Sequence, residues 1–326
     1  MTPVLEASNL HVTFGTSIAA VRGISLTVAR GETHCLVGES GCGKSVTALA
    51  IMGLLSRTAH RSADILRFHD HDLTRLSERG MARLRGDRIA MIFQEPMTSL
   101  NPAYTIGSQM AEVFERHRRV SRTIALDRAA ELLHRVGITA PGMRLKQYPH
   151  QLSGGLRQRV MISMALMCEP ELLIADEPTT ALDVTVQAQI LRLLQNLQRE
   201  LGLALLLITH DLGIVARIAD RVSVMYAGEI VESALTGPLF AAPTHPYTRG
   251  LLRCIPVPGQ VRRDEPLGSI PGVVPRIAPE FIGCSFRERC AFAMPDCARD
   301  VPRQRAAVDH DYLCRLPPDW TRAEAA

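Results

Sequence analysis

The sequence predicts an α/β fold in which buried parallel strands alternate with helices. Continuous apolar runs recur as RIAMIFQ, LLIADE and LALLLITH, each ending in polar residues, as expected for parallel strands covered on both faces. Segments with helical period separate these runs, and a glycine-rich turn stands between the strand HCLV and the helix KSVTALAIMGLL. In such a fold we expect ligand chemistry at the carboxyl ends of the strands.

The composition is that of a globular protein that stays in the cytoplasm. Apolar residues make up 46% of the 326 residues, which is enough to fill a core. The N-terminus shows no signal-peptide pattern, and the longest apolar runs are far too short to span a membrane. The net charge is only +4 without a basic tract, so we expect no nucleic-acid partner. Four scattered cysteines are interpreted as inert thiols, namely Cys35, Cys42, Cys168 and Cys254.

The remaining elements follow from local patterns. The segments LEASNLHVTF and ISLTVARGETHCLVG are typical of strands, and Arg30-Gly31 predicts a hairpin turn within the second. An insert at about residues 97–170 has helical period in three places and predicts a helical subdomain. RVSVMYAGEIVES predicts another hairpin. Beyond it the chain becomes proline-rich, so we divide it into domains 1–240 and 241–326 and expect the second to be irregular.

The glycine-rich turn GESGCGKS fits the phosphate-binding pattern G-x-x-x-x-G-K-[ST] and lies between a strand and a helix, as that mechanism requires. Lys44 would supply a mobile positive charge, and the Ser45 hydroxyl can ligate Mg²⁺. The backbone N–H groups of the loop would surround the phosphates; they belong to Gly38, Glu39, Ser40, Gly41, Cys42 and Gly43. The loop predicts a site for a nucleoside triphosphate.

Two adjacent carboxylates end the buried strand LLIADE. Asp176 would hold magnesium through water, and Glu177 would act as general base toward the attacking water. An acidic loop after a core strand is the commoner explanation for such a pair on its own. The phosphate loop in the same chain favours the catalytic interpretation.

The segment LSGGLRQR offers a second anion site, because Ser153 can cap a helix that begins with Gly154 and Gly155. With this segment the chain resembles the ATP-binding cassette (ABC) family, whose signature motif is LSGGQ; here Leu156 replaces the glutamine. The resemblance covers about residues 4–235. It implies a P-loop NTPase nucleotide-binding domain with a RecA-like core, an antiparallel β subdomain and a helical subdomain. It also implies that two cassettes meet head to tail, with each signature completing the partner's ATP site.

The same resemblance implies roles for four further residues. Gln94 in IFQEP is similar to the Q-loop glutamine that touches magnesium and the lytic water. Asp183 in TTALDV resembles the D-loop aspartate, which acts with the signature on the partner's ATP. His210 in LLITHD resembles the switch histidine at the γ-phosphate, and Phe14 takes the place of the aromatic residue that stacks on adenine.

Longer strings resemble the ATP-binding subunits of bacterial dipeptide and oligopeptide importers, most closely the D-type dipeptide-permease subunit. They include MIFQEPMTSLNPAYTIG, YPHQLSGG, VMYAGEIVE and HPYTRGLL. The family implies a peripheral ATPase on the cytoplasmic face of the bacterial inner membrane. Its partners would be a second homologous ATPase, two transmembrane permease subunits and an extracytoplasmic substrate-binding protein. Nickel, glutathione, antimicrobial peptides and haem are alternative cargoes, and a soluble cassette protein of DNA repair or translation is the alternative outside transport.

Four cysteines, Cys284, Cys290, Cys297 and Cys314, fall in the proline-rich region, separated by five, six and sixteen residues. Structural zinc usually takes at least one tighter pair, and neither common ferredoxin spacing matches. From spacing alone, zinc and an iron-sulfur cluster stay equally open. The family favours the cluster, because some peptide-importer ATPases of this type carry a four-cysteine [4Fe-4S] cluster in this extension.

Overall fold

The computed structural model describes residues 3–94, 99–180, 182–255 and 268–320. The strands are, in chain order, β1 Leu5–Phe14, β2 Ile18–Val28, β3 Thr33–Val37, β4 Ala59–Ser62, β5 Ile65–Phe68, β6 His71–Asp72, β7 Ile89–Ile92, β8 Leu172–Asp176, β9 Ala204–Thr209, β10 Arg221–Tyr226, β11 Glu229–Leu235, β12 Arg303–Ala307 and β13 His310–Leu313. The α-helices, numbered here in chain order, are α1 Lys44–Met52, α2 Glu78–Leu84, α3 Ile106–Arg118, α4 Arg122–Arg135, α5 Pro141–Arg144, α6 Gly154–Ala165, α7 Val184–Leu201, α8 Leu212–Ile218, α9 Thr236–Ala241 and α10 Pro246–Arg253.

The chain divides into two compact units. The first contains Met1–Leu5, Val28–Thr33 and Arg75–Ile208. The second contains Glu6–Thr27, His34–Thr74 and Thr209–Ala326. No helix within the described ranges is both long and apolar enough to cross a membrane.

In the first unit, β8 pairs in parallel with β7 and with β9. Every residue of β8 and β9 is buried, which confirms the prediction of parallel strands covered on both faces. The predicted helices of the insert form as α3, α4 and α6, which bury apolar side chains such as Met110, Leu133 and Ile162. Each of the three begins at a hydroxyl N-cap that accepts a backbone N–H bond: Thr105, Ser121 or Ser153.

In the second unit, the predicted hairpin forms as β10 and β11, which pair antiparallel. Its two-residue turn has positive φ at both Ala227 (44°) and Gly228 (88°), the geometry that matches the twist of the strands. The strand β3 lies parallel to β10 on the other side. A separate antiparallel sheet is built around β1, which pairs with β2, β4 and β5.

The hairpin predicted at Arg30-Gly31 is wrong. The strand β2 belongs to the sheet of β1, whereas β3 pairs with β10. All five residues of β3 are buried, so β3 is a strand covered on both faces and not the partner of the alternating strand before it. A short turn between two strands has the same local sequence whether the chain doubles back or passes to another sheet.

The C-terminal region is more regular than the expected appendage. Helix α10 begins at Pro246, where the missing N–H of proline costs no hydrogen bond. The strand β13 pairs with β11, and β12 pairs with β13. The buried carboxylate of Glu232 in β11 accepts hydrogen bonds from the backbone N–H groups of Thr244 (2.7 Å) and His245 (2.9 Å) and pairs with His310 Nε2 at 2.7 Å. These bonds tie the region to the sheet of the second unit.

Candidate nucleotide-binding elements and cysteine pocket

The predicted phosphate loop joins β3 to α1 in the second unit, and α1 begins at Lys44. Two of its glycines are required by close approach of backbone. A Cβ atom at Gly38 would lie 2.2 Å from the Met225 carbonyl oxygen, and one at Gly43 would lie 2.4 Å from the Ala20 carbonyl oxygen. The loop is therefore packed tightly against its neighbours, and it ends at the N-terminus of a helix, where backbone N–H groups favour an anion.

Lys44 folds back over this loop. Its side chain is buried, and Nζ donates to the carbonyl oxygens of Gly38 (2.8 Å) and Glu39 (3.0 Å). The ammonium is thus held against the loop that would bind the phosphates. Ser45 is the second residue of α1 and is half-buried. Burial raises the pKa of the Cys42 thiol, which fits its interpretation as inert.

Two other predicted nucleotide contacts belong to the same unit. Phe14 is the last residue of β1 and is half-buried. His210 is exposed and follows β9 directly. The next residue, Asp211, caps α8 by accepting backbone N–H bonds from Gly213 (2.8 Å) and Ile214 (3.2 Å), which fixes the turn that carries the histidine.

The first unit holds the paired carboxylates at the carboxyl end of β8. Asp176 and Glu177 are both buried, and Glu177 has a positive φ of 44°, an uncommon backbone conformation for a residue with a side chain. Its Oε2 accepts hydrogen bonds from Gln94 Nε2 (3.2 Å) and Thr180 Oγ1 (2.8 Å). The structure therefore brings Gln94 and Glu177 together. Both residues were predicted to contact the lytic water, and that prediction needs them to be neighbours.

Thr180 is a functional candidate that the sequence analysis missed. Its hydroxyl donates to Glu177 Oε2, and its backbone N–H donates to the Glu177 carbonyl oxygen at 3.2 Å. The signal was present in the string DEPTT, because a hydroxyl three residues after a carboxylate can reach back to it in a turn. Thr180 therefore helps to fix the orientation of the Glu177 carboxylate.

The signature residues and the D-loop aspartate also lie in the first unit. Ser153 caps α6 by accepting from the Leu156 backbone N–H at 3.4 Å. Leu156 is the residue that replaces the glutamine of LSGGQ, so this replacement changes a side chain but keeps the backbone hydrogen bond of the cap. Ser153 and Gly154 are exposed. Asp183 caps α7 by accepting from the Val186 N–H at 3.0 Å and is also exposed.

The four clustered cysteines line one pocket in the second unit, together with the apolar side chains of Phe286, Phe292 and Leu316. Burial, reinforced by the nearby thiols of Cys314 and Cys297, raises the pKa of the Cys284 thiol to about 11. Burial also raises the pKa of Cys290 and Cys314. The pocket therefore keeps these three thiols protonated at neutral pH unless a cation compensates their charge.

This pocket is not a preformed metal site. Its free volume is about 10 Å³, roughly the space for one water. Among the residues that the structure describes, no group of three or more His, Cys, Asp or Glu side chains is arranged to hold a metal ion. The four cysteines therefore line the same pocket, and the metal stays a hypothesis.

Comparison with known families gives two matches along the chain. Residues 21–180 match the ABC transporter family. Residues 231–297 match the C-terminal region of oligopeptide and dipeptide transporters. The second match contains α10 and three of the four clustered cysteines.

Individual relatives extend over nearly the whole chain. A probable peptide ABC transporter ATP-binding protein of Sinorhizobium fredii is 55% identical over 87% of this chain and 84% of the relative. The dipeptide transport ATP-binding proteins DppD of Bacillus subtilis and Escherichia coli are 49% and 48% identical; each alignment covers 97% of this chain, and 95% and 97% of the relatives.

Solved structures agree in fold. The cassette cbiO1 of Clostridium perfringens, part of an ABC transporter complex, has a TM-score of 0.65 and 28% identity over 74% of this chain and 92% of its own. A dimeric structure of the cassette MJ0796 bound to ADP and phosphate has a TM-score of 0.64 and 26% identity over 71% of this chain and 98% of its own. The predicted fold class is confirmed.

Proposed function

The chain belongs to the ABC transporter ATPase family with the oligopeptide/dipeptide transporter C-terminal region, and on that premise we propose that it hydrolyses ATP to drive an importer of dipeptides or short oligopeptides. The observation that carries the proposal is the phosphate loop, with Lys44 folded onto its carbonyl groups, in a chain whose close relatives are named for peptide transport. Cargo binding is left to other subunits, so the peptide assignment rests on these relatives and not on a pocket of this chain.

In the proposed reaction, the phosphate loop and Lys44 bind the β- and γ-phosphates of ATP, and Phe14 stacks on the adenine. Glu177 accepts a proton from a water whose oxygen attacks the γ-phosphorus, and the bond from that phosphorus to the bridging oxygen breaks, releasing ADP and phosphate. Thr180 and Gln94 hold the Glu177 carboxylate for this step. His210 contacts the γ-phosphate.

Three side chains are suited to magnesium, because their donor atoms are the hard oxygens that the ion prefers: the Ser45 hydroxyl, the Asp176 carboxylate and the Gln94 amide oxygen. When bound, magnesium neutralises charge that develops on the phosphate oxygens.

We assign the exposed surface of Ser153, Gly154, Asp183 and Val184 to contact with a second, homologous ATPase subunit. Val184, an apolar side chain that follows the Asp183 cap directly, is 80% exposed and so adds to the accessible surface beside the D-loop. Each subunit would then offer its signature and D-loop to the ATP of the other, so that ATP joins the two chains and hydrolysis releases them.

The helical subdomain at about 97–170 offers a surface for the two permease subunits, and we place the chain on the cytoplasmic face of the inner membrane through them. Tyr104 is 57% exposed just before α3, within the segment for which the family implies permease docking, and Met143 of α5 is 69% exposed. An extracytoplasmic substrate-binding protein would deliver the peptide.

A purification from membranes tests this assembly. The tagged full-length chain, expressed in its bacterium and extracted in mild detergent, should carry along two integral membrane subunits and a second cassette ATPase. Mass spectrometry of the captured proteins is the measurement. Capture of ribosomal or DNA-repair proteins in place of membrane subunits would favour the soluble alternative.

For the C-terminal cysteines we propose a [4Fe-4S] cluster held by Cys284, Cys290, Cys297 and Cys314. Four thiols lining one apolar pocket form the ligand set of such a cluster, and the cationic irons would compensate the thiolates that burial disfavours. Zinc is the alternative ion for the same four thiols, and the family resemblance favours the cluster over it. The small free volume means that loading must move the pocket walls outward.

Purification without oxygen should give a brown protein with about four irons and four sulfides per chain. Replacing Cys290 with serine should remove the colour and the iron. The matched control is Cys254→Ser, because Cys254 is half-buried in the same unit but does not line the pocket. A colourless protein with one zinc would refute the cluster in favour of a structural ion, and a protein without metal would refute both.

A further inference from the structure

Arg289 belongs to the C-terminal region and contacts the phosphate loop of the second unit. It ends a 3-10 helix, Arg287–Arg289, directly before Cys290, and its side chain is only 6% exposed. A buried guanidinium is costly unless its donors are satisfied. Arg289 makes five hydrogen bonds, one from Nε and two from each of Nη1 and Nη2, so the side chain has one well-defined position.

Two of these donors meet the phosphate loop. Nη1 and Nη2 bind the two carboxylate oxygens of Glu39 at 3.1 and 3.0 Å, a bidentate pair. Glu39 is the second residue of the loop, and its backbone N–H donates to the Tyr247 hydroxyl at 3.0 Å. Nη1 also reaches the Tyr226 hydroxyl at 3.3 Å. Both the side chain and the backbone of Glu39 are thus fixed by residues outside the loop.

The remaining donors meet a different segment, Ile270–Ile277, which we call the strap. Arg289 Nε donates to the Pro271 carbonyl oxygen at 2.7 Å, and Nη2 donates to the Ile270 carbonyl oxygen at 3.0 Å. The other end of the strap is held by β2, because the Ala19 backbone N–H donates to the Ile277 carbonyl oxygen at 2.9 Å. The strap has no helix or strand of its own to fix it.

The strap and the phosphate loop are two walls of one cavity of about 510 Å³. Glu39, Ser40 and Gly41 line it from the loop side, and residues 272–277 line it from the strap side. A cavity of this size is in the range of small-molecule sites. Arg289 binds both walls at once and therefore sets the distance between them.

We propose that Arg289 is a positioning residue for nucleotide binding, which holds the phosphate loop and the strap at the spacing that ATP requires. This inference rests on the proposed function, in which the loop binds ATP. Arg289 does not touch the reacting atoms. Its loss frees the Glu39 carboxylate and one end of the strap, so the loop must be ordered again each time that ATP binds.

The test compares ATP affinity and steady-state hydrolysis of the full-length chain in its membrane complex. Arg289→Ala should raise both the Kd and the KM for ATP by about 10- to 100-fold, while kcat at saturating ATP stays within about twofold. Arg289→Lys should also weaken binding, because one ammonium cannot span Glu39 and the two strap carbonyls. The matched control is Arg299→Ala in the same region, since Arg299 is 78% exposed and pairs with Asp296 at the surface; it should leave ATP binding unchanged.

A double-mutant cycle separates positioning from a general loss of stability. In a Glu39→Ala background, Arg289→Ala should cost less than about threefold further affinity, because the pair is already broken. An equal fold loss in both backgrounds, or an unchanged Kd, would overturn the inference. If Arg289→Ala does not fold, the loss of ATP affinity caused by Arg289→Lys is compared in the same two backgrounds.

The two proposals fail differently. If the wild-type chain does not bind ATP, the proposed function is wrong. If the wild type binds ATP and Lys44→Ala does not, but Arg289→Ala binds normally, only the role of Arg289 is wrong.

Discussion

Replacing Glu177 with glutamine is expected to leave ATP binding intact and to slow hydrolysis by about 10²- to 10⁴-fold, the usual contribution of a general base. Glutamine has nearly the same shape, and its amide oxygen can still accept from Thr180 and Gln94, so the turn after β8 should be preserved. What it cannot do is take a proton from water. The measurement is phosphate release by the membrane complex at saturating ATP, together with ATP affinity.

The matched control for this change is Glu200→Gln. Glu200 lies in the same unit, but it is 56% exposed and pairs with Arg135 at the surface. The Glu200→Gln complex should hydrolyse ATP at the wild-type rate. A Glu177→Gln complex that keeps more than about a tenth of wild-type turnover would show that another group removes the proton.

Replacing Lys44 with alanine is expected to weaken ATP binding by about 10- to 100-fold, because the loop loses its charge-assisted contact to the phosphates. The chain has only two lysines, Lys44 and Lys146, among 37 basic residues. Arginine is used almost everywhere else, which indicates that the loop needs the compact ammonium of lysine. Lys44→Arg should therefore fail as well, since a planar guanidinium does not fit where Nζ contacts the carbonyl oxygens of Gly38 and Glu39.

Lys146→Ala provides the control, because it removes the other lysine from an exposed position in the first unit. Equilibrium binding of a fluorescent ATP analogue compares the three variants with the wild type. Wild-type affinity in Lys44→Ala would contradict the assignment of the phosphate loop.

The sequence predicts most of the architecture because its signals are local. The apolar runs that became β8 and β9, and the glycine pattern of the phosphate loop, depend on neighbouring residues alone. The failed hairpin at Arg30-Gly31 depends on which strand lies beside β3, and that partner, β10, is about 190 residues away. Pairing between distant strands leaves no signal in the turn itself.

The residues of the site also divide into those with a local sequence signal and those without one. Gln94 and Glu177 could be named from motifs, and their hydrogen bond supports that choice. Arg289 could not, because its partner Glu39 lies 250 positions earlier and one arginine among many carries no local signal. Residues that position a site across long sequence distances become visible only when the chain is folded.

The central claim is that this ATPase powers peptide import, and transport itself tests it most directly. The membrane complex captured through this chain is reconstituted into liposomes with its substrate-binding protein, ATP is supplied on the side that exposes this chain, and a labelled dipeptide is added on the other side. We predict that the dipeptide accumulates on the ATP side and that Glu177→Gln abolishes the accumulation. ATP hydrolysis without movement of any dipeptide or oligopeptide, or with accumulation of nickel, glutathione or haem in their place, would contradict the claim.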